Sequence, residues 1–544
     1  MEHIIRNIID DILVSKGINP EDINYTIEIP KKKDNGDFSS NVAFILSKIL
    51  KKAPISIANE LTSQINSDYF SKIEVAPPGF INFFFSKKVY FDFLSGYITD
   101  PYSNFENIGK AEKAMVEFVS ANPTGPLHIG HGRGSAYGDT IARILKISGY
   151  DVYKEYYIND AGNQMNNLAL SIYSRYCSFF GKNFPFPEDG YKGDYIIEIA
   201  KDIAVRFGDA LINNEKDGID TCFKIGVESI TKGIEDDLKQ FRVTFDNWFS
   251  EKSLYSNGDV ENTIEKLFKN CEIYEKDGAL WFRSTHYGDD KDRVIKRNNG
   301  EYTYLASDIA YHKNKYDRGF KLLVNVWGAD HHGYVNRLKN SIKALNIDVS
   351  NLKIQLIQMV SLIKGGERIS MSTRAGEFIT LRWLIDEVGS DAARYFYLMR
   401  DINSQLDFDI DLAKSKTNEN PVYYIQYAHA RVHSLKKNAK EKGLEPTTKE
   451  NIELLSLESE IELIKKIYDF RNVLKSATIN LEPHRICYYL QEIAGMFHNY
   501  YYNTKIVDES DKELSSARLL LSDTVAKTIS IGLDLLGVSA PEKM

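Results

Sequence analysis

The fold is decided by residues 114–158, AMVEFVSANPTGPLHIGHGRGSAYGDTIARILKISGYDVYKEYYI. AMVEFVS is a short, mostly apolar run of strand length. A turn rich in Gly and Pro follows, and then Tyr137, Ile141, Ile144, Leu145 and Ser148 recur on one helical face. Gly149 is placed to stop that helix, and DVYKEYYI reads as a second strand. Two strands joined by a crossover helix are parallel, which predicts a doubly wound α/β sheet. In such a sheet a ligand sits outside the carboxyl end of the first strand, where His128 and His131 stand.

Outward from this unit the pattern changes twice. A charged, helix-rich segment from about Gln164 to Gln240 interrupts the sheet. KLLVNVWG and KIQLIQMVSLI resume it, and LRWLIDEVGSDAARYFYLMR reads as one helix. From about Thr417 onward helical periodicity is nearly continuous, which predicts an all-helical bundle. Toward the amino end, residues 40–65 read as two short helices broken at Pro54, and FINFFF as a strand. The expected domains are an N-terminal α/β domain over 1–107, a nucleotide-binding domain over 108–400 with an insertion at about 165–235, and a helical domain over 415–544.

The 544 residues exceed what one core organises, and 43% hydrophobic with 26% charged residues is the balance of a globular chain. No run of about 18 apolar residues is present. The opening MEHIIRNIIDDILVSKG carries Glu2, Asp10 and Asp11 within its apolar pattern, so it reads as an amphipathic helix, not a signal peptide. A cytoplasmic protein is the expectation, with no contact to a membrane. Cys177, Cys222, Cys271 and Cys487 form no CxxC pair, which points to buried, reduced thiols. The net charge of −8 counts against a generic nucleic-acid binder. It leaves room for local basic patches such as Lys31–Lys33 or Lys436, Lys437, Lys440 and Lys442, each of which is read as a solvated face when taken alone.

Four constellations carry chemistry. His128 and His131 lie three apart on a first helical turn, whose N–H groups carry partial positive charge. Two imidazoles there suit a phosphate, and Gly130 leaves room for a flat group against the backbone. A metal would need further ligands, and none stands nearby at a familiar spacing; a metal or structural role is the alternative. NVWGADHHGY (325–334) turns on Gly328 and Ala329 and sets Asp330, His331 and His332 at a strand's carboxyl end; the plainer reading is a helix capped by Asp330. KGGERISMSTRAGEFITL (364–381) surrounds a polar loop with Lys364, Arg368 and Arg374, suited to a leaving pyrophosphate, although basic loops are common. Glu251, Asp308 and Tyr304 pair carboxylates with an aromatic, which suits a guanidinium or ammonium group; an ordinary surface acid is the alternative.

Together these segments resemble the arginyl-tRNA synthetases of class I. ANPTGPLHIGH (121–131) is similar to the HIGH signature, and GDFSSNVAF, PGFINF, YINDAGNQ, FRVTFDNWFSE, YLASDIAYH, NVWGADHHGY, MSTRAG, NPVYYIQYAHAR and LLGVSAPEKM extend the resemblance over nearly the whole chain. It implies ATP-dependent attachment of L-arginine to tRNA(Arg) through an arginyl-adenylate, with Mg²⁺ accompanying the nucleotide and a first step that needs bound tRNA. By position it implies ATP contact by His128, Gly130, His131, Gly328, Met371 and Ser372. It implies arginine contact by Ser120, Asn122, Glu251, Tyr304, Asp308 and Asp330, with His331 nearby. Tyr423, Tyr424, Gln426 and Tyr427 would meet tRNA bases, with core packing as the competing role for a tyrosine-rich helix. The N-terminal domain would meet the tRNA elbow and the helical domain the anticodon. A monomer is the family expectation. One departure stands out: where the class carries KMSKS, this chain has Ser370, Met371, Ser372 and Thr373 without either lysine, and Gly125-Pro126-Leu127 stands just before HIGH where some members carry a lysine instead. Arg374, Lys364 or Arg368 is then the source of catalytic charge. The rival readings are another class I synthetase and a non-catalytic tRNA-binding relative.

Overall fold

The computed structural model describes residues 1–160, 162–369, 378–447 and 450–544. The chain divides into two compact units: residues 1–104, 432–469 and 496–525 make the first, and residues 105–431, 470–495 and 526–544 the second.

The first unit opens with α1 (Glu2–Ser15), whose Ile5, Ile9, Ile12 and Leu13 are buried at helical spacing. Strands β1 (Ile27–Glu28), β2 (Phe38–Ser40), β3 (Phe70–Ala76) and β4 (Phe80–Phe85) form an antiparallel sheet in the order β1-β2-β4-β3. Helices α2 (Val42–Leu50), α3 (Pro54–Thr62) and α4 (Lys87–Thr99) accompany the sheet in the amino-terminal part of this unit. Pro54 stands at the first position of α3, where its missing N–H is harmless.

The second unit is built on a five-stranded parallel sheet. Its strands are β5 (Lys113–Glu117), β6 (Asp151–Ile158), β7 (Asn247–Ser250) and, after an antiparallel trio β8 (Ile273–Lys276), β9 (Ala279–Phe282) and β10 (Arg293–Lys296), β11 (Leu322–Gly328) and β12 (Leu352–Ile357). The order is β12-β11-β5-β6-β7. The chain starts at β5, moves out through β6 to β7, and returns on the other side at β11. The strand order therefore reverses between β5 and β11, and a crevice opens there at the carboxyl ends. Helix α5 (Ile129–Ile147) joins β5 to β6, and Gly149 follows it with φ +88°. Between β6 and β7 lie α6 (Asn163–Phe179), α7 (Asp194–Phe207) and α8 (Glu215–Gln240). Helices α9 (Glu251–Ser256), α10 (Asp259–Lys269), α11 (Tyr304–Asp317) and α12 (His332–Lys343) cover the sheet beyond β7.

Two segments depart from the sequence expectation. KIQLIQMVSLI forms two strands, β12 and β13 (Val360–Lys364), of which β13 pairs with β14 (Glu367–Arg368) and β15 (Leu406–Asp409) in another sheet. LRWLIDEVGSDAARYFYLMR is two helices, α13 (Leu381–Val388) and α14 (Ser390–Leu398), because Gly389 takes φ +79° and ends the first. A short α15 (Ile410–Lys414) and long helices α16 (Pro421–Glu441), α17 (Glu458–Asn480), α18 (His484–Asn503) and α19 (Lys512–Leu535) follow. Cys177, Cys222 and Cys487 are buried thiols as expected, whereas Cys271 is exposed in the turn that leads into β8.

A buried carboxylate braces the helix that carries the histidines. Asp139 on α5 accepts from Arg394 Nη2 of α14 at 2.7 Å, Arg143 Nε at 2.8 Å and Lys154 Nζ of β6 at 3.3 Å. Asp139 and Arg394 are both fully buried. Arg394 also donates to the carbonyls of Phe241 at 2.9 Å and Leu536 at 2.8 Å. Each nitrogen of the buried Arg394 guanidinium thus has an acceptor, the condition for burying charge.

Candidate active site

The first site lies where β5 gives way to α5. Ile129 N–H donates to Ile379 O at 3.1 Å, and Leu381 N–H donates to Leu127 O at 2.8 Å. These bonds fasten the histidine segment to the residues that precede α13. His128 is the N-cap of α5. Its ring accepts at Nδ1 from the His131 backbone N–H, and the His131 ring accepts at Nδ1 from the His128 backbone N–H, both at 3.3 Å. The rings stack with centroids 3.6 Å apart and an interplanar angle of 19°.

This pairing refines the sequence reading. Two of the first-turn N–H groups are taken by the imidazoles themselves, so they are not offered to a ligand. With Nδ1 an acceptor, each neutral ring carries its proton on Nε2. Burial lowers the His131 pKa to about 3 and also lowers that of His128, which keeps an exposed edge. The site therefore presents two neutral Nε2–H donors. The space above Gly130 is also in use: a Cβ there would meet His128 Cε1 at 2.9 Å, so the glycine admits the neighbouring ring.

At the end of β5, Val119 and Ser120 adopt φ +68° and +42°. Left-handed backbone at a β-branched residue costs on the order of 1–3 kcal/mol and persists only where its surroundings enforce it. Here Ser120 Oγ donates to Glu117 Oε1 at 3.1 Å and accepts from Tyr157 N–H at 3.2 Å, while Tyr156 OH donates to Ala121 O at 2.8 Å. Asn122 Nδ2 donates to Gln164 Oε1 at 2.6 Å, and Tyr195 OH of α7 holds Thr124 O at 2.7 Å.

The acids converge on the same crevice. Glu251, the first residue of α9, is 4% exposed, and Ser307 and Tyr157 hydrogen-bond its carboxyl. Asp308 lies one turn into α11 and accepts at Oδ2 from Tyr334 OH at 2.5 Å. Burial raises both carboxyls above their ordinary range. Asp308 reaches about 7, with the negative neighbours Glu251 and Glu117 adding to the rise and the Tyr334 bond opposing it. Tyr157 thus touches Ser120 through its backbone and Glu251 through its ring. Tyr304 opens α11 one turn before Asp308, but the residue is 68% exposed.

The carboxyl end of β11 carries Gly328, Asp330, His331 and His332, all exposed, with His331 Nε2 3.6 Å from Asp330 Oδ2. A Cβ at Gly328 would meet Asp330 Oδ1 at 2.4 Å. Asp330 makes no side-chain N-cap bond, against the plainer sequence reading. Two of the three candidate basic residues, Lys364 and Arg368, are already partnered. Lys364 Nζ is 3.5 Å from Glu387, and Arg368 Nη2 donates to both Asp407 oxygens at 2.9 and 3.1 Å. Ser370, Met371, Ser372, Thr373 and Arg374 lie outside the described residues. On α16, Tyr423 and Tyr427 stack at 6.1 Å, and they and Tyr424 are half-buried. Gln426 is buried, and its amide donates to Asp391 Oδ2 at 3.0 Å and Ser539 O at 2.9 Å, so it is committed to packing and not offered to a base.

Three family models match consecutive parts of the chain: the arginyl-tRNA synthetase N-terminal domain over residues 1–85, the catalytic domain of class I tRNA synthetases (R) over 102–404, and the DALR anticodon-binding domain over 425–544. An arginine--tRNA ligase of Citrifermentans bemidjiense is 49% identical over 95% of this chain and 94% of its own length. One from Listeria monocytogenes is 44% identical over 100% and 98%. The chain belongs to the arginyl-tRNA synthetases. A putative arginyl-tRNA synthetase structure from Campylobacter jejuni is 38% identical with a TM-score of 0.77 over 84% of this chain and all of that one. The Thermus thermophilus arginyl-tRNA synthetase, at 22% identity, shares the fold with a TM-score of 0.76 over both full lengths.

In this arginyl-tRNA synthetase several residues around the crevice escaped the sequence reading. Tyr334 stands within NVWGADHHGY, yet only its position after β11 lets it reach Asp308. Asn325 and Glu117 are polar residues in apolar strands, a signal that was there to read. Lys315, His312 and Tyr157 had none, because burial within helix and strand patterns hides side-chain partners.

Proposed function

We propose that the crevice between β5 and β11 binds arginine and ATP together, and that this synthetase attaches L-arginine to tRNA(Arg). The observation that supports it most is the meeting of two carboxyls, Glu251 and Asp308, with Ser120 beside the stacked histidines' end of the sheet. An arginine carboxylate oxygen attacks the α-phosphorus of ATP, and the bond to the β-phosphate oxygen breaks to release pyrophosphate. The 2′-OH of the tRNA's terminal ribose then attacks the acyl carbon, and AMP leaves. Neither step needs a protein nucleophile; positioning and charge stabilisation carry it.

His128 and His131 donate Nε2–H to the triphosphate, with Gly130, Gly328, Met371 and Ser372 as further nucleotide contacts. Ser120, Asn122 and Asp330 receive the α-groups of arginine. Glu251, Asp308 and Tyr304 receive its guanidinium, whose planar fork separates it from lysine by geometry as well as charge. Mg²⁺ arrives with the nucleotide; among the described residues no group of three or more His, Cys, Asp or Glu is arranged to hold a metal. Residues 1–107 meet the tRNA elbow, the catalytic segment is 108–400 with its insertion at about 165–235, and residues 415–544 meet the anticodon. Tyr423, Tyr424 and Tyr427 provide stacking faces there. The protein acts as a monomer in the cytoplasm, the family expectation; no described helix is long and apolar enough to cross a membrane.

Aminoacylation of tRNA(Arg) with each amino acid in turn tests the reading. Arginine alone is expected to be charged; charging of a different amino acid, or of none, overturns it. Arg374, Lys364 or Arg368 supplies the charge that the absent KMSKS lysines would bring. Alanine at the responsible position is expected to slow tRNA-dependent pyrophosphate exchange by about 10²-fold. Unchanged rates in all three variants would remove the loop from the chemistry.

A further inference from the structure

We infer that Asn325 is a positioning residue that sets the distance between the two ends of the arginine subsite, through a buried hydrogen-bonded chain running from Ser120 to Asp308. The inference rests on the arginine reading above.

Asn325 sits in the middle of β11, directly beside Glu117 of β5 in the parallel ladder. Both are buried, Asn325 at 1% and Glu117 at 5% exposure. Helix α11 lies over them and offers Asp308, His312 and Lys315 at i, i+4 and i+7, one face of a helix. Lys315, fully buried, donates from Nζ to Glu117 Oε2 at 2.5 Å and to Asn325 Oδ1 at 3.1 Å. Its ammonium also lies 4.2 Å from the centre of the Tyr311 ring. Asn325 Nδ2 is 2.6 Å from His312 Nε2, and His312 Nδ1 is 2.7 Å from the Asp308 carbonyl.

One assignment of hydrogens satisfies every bond. Tyr157 N–H donates to Ser120 Oγ, whose own hydrogen goes to Glu117. Lys315 bridges Glu117 to the Asn325 oxygen. The Asn325 amide hydrogen goes to His312 Nε2, so Nδ1 carries the imidazole proton and gives it to Asp308 O. Burial keeps His312 neutral, as this pattern requires. The chain begins at the residue proposed to hold the α-groups and ends at the residue proposed to hold the guanidinium. Asn325 is the only member that bonds both Lys315, on the Glu117 side, and His312, on the Asp308 side. A buried network of this kind is rigid only while each member is satisfied.

The consequence is selectivity for side-chain length. A displacement of about 1 Å at a reacting centre can cost about 10²-fold in rate, and one methylene of fit is worth about 10–200-fold. The register of α11 against β5 and β11 therefore decides whether a side chain of arginine's length spans the subsite.

The test compares the parent with Asn325→Ala and Asn325→Asp, the latter keeping an acceptor for Lys315 while losing the donor to His312. Homoarginine and norarginine, one methylene longer and shorter, are measured as inhibitors of arginine charging. The readout is each inhibition constant divided by the arginine KM. In Asn325→Ala at least one ratio is expected to fall about tenfold, with the ATP KM within about twofold of the parent. Asn325→Asp is expected to shift the same ratio by less. If the alanine variant does not fold, the aspartate variant decides, a ratio below the parent's being the expected result and a ratio equal to it overturning the inference. Ratios equal to the parent's in a folded variant overturn the inference, whatever happens to the melting temperature. A parent that charges no arginine overturns the functional reading instead, so the two failures are distinct.

Discussion

Changing Asp308 to asparagine is expected to raise the KM for arginine about 10²- to 10³-fold while leaving the KM for ATP nearly unchanged. Truncating or neutralising one partner of a desolvated, hydrogen-bonded charge pair costs about 2–5 kcal/mol, and each 1.4 kcal/mol is about tenfold. The pH dependence gives a sharper signature. Burial, reinforced by Glu251 and Glu117, holds the Asp308 pKa at about 7 in the protein without ligand. A guanidinium binds the ionised form, so binding below that pH must also expel a proton. Arginine KM should be flat above pH 7 and rise about tenfold per pH unit below it, and Asp308→Asn should lose the slope. The stability consequence has the opposite sense. A carboxyl whose pKa is raised on folding keeps its proton over the interval between the ordinary value near 4 and about 7, where the unfolded chain has released it. The unliganded protein therefore loses stability as pH rises through that window, and saturating arginine should restore it. Melting curves against pH with and without arginine check both signs; a pH-independent arginine KM would refute the account.

The second large effect is expected at His128, where one ring does two things. Its Nδ1 caps α5, which leaves the ring proton on Nε2 of a residue that is exposed. Asparagine is among the best N-cap residues, so His128→Asn should retain the cap and hold the melting temperature close to the parent's. It lacks an N–H at the Nε2 position. Removing one preorganised donor from a developing oxyanion costs about 10²–10³-fold in kcat, and adenylate formation should fall by that much. His128→Ala loses both roles and should lose stability as well. Stopped-flow measurement of the first step beside thermal unfolding separates them. A His128→Asn variant with full activity would show that the imidazole serves the helix alone.

Much of the architecture was legible because its signals are local. The parallel pair β5 and β6 with α5 between them follows from periodicity, and FINFFF and DVYKEYYI form strands over their full lengths. Gly389 was misjudged because a lone glycine in a helical pattern is commonly tolerated; here it takes a positive φ and ends α13. At the site, the residue types were readable but their partners were not. The two histidines looked like a free donor cluster, yet half of their hydrogen-bonding capacity is spent on each other's backbone. Gln426 looked available to a base until Asp391 and Ser539, distant in sequence, claimed its amide. The network through Asn325 ties β5 to α11 and β11 across the 198 positions between Glu117 and Lys315, and that distance is why periodicity was blind to its Glu117 end.

The brace at Asp139 has a bearing on biosynthesis. Arg394 finishes its set of acceptors only at Leu536 O, and the neighbouring Arg242 reaches Gly537 O at 3.0 Å. A nascent chain emerges from the ribosome amino end first, at about 5–20 residues per second. Arg394 is therefore made before one of its acceptors, Leu536 O, which lies 142 positions further along the chain. The set of bonds around Arg394 can close only after Leu536 has been synthesised.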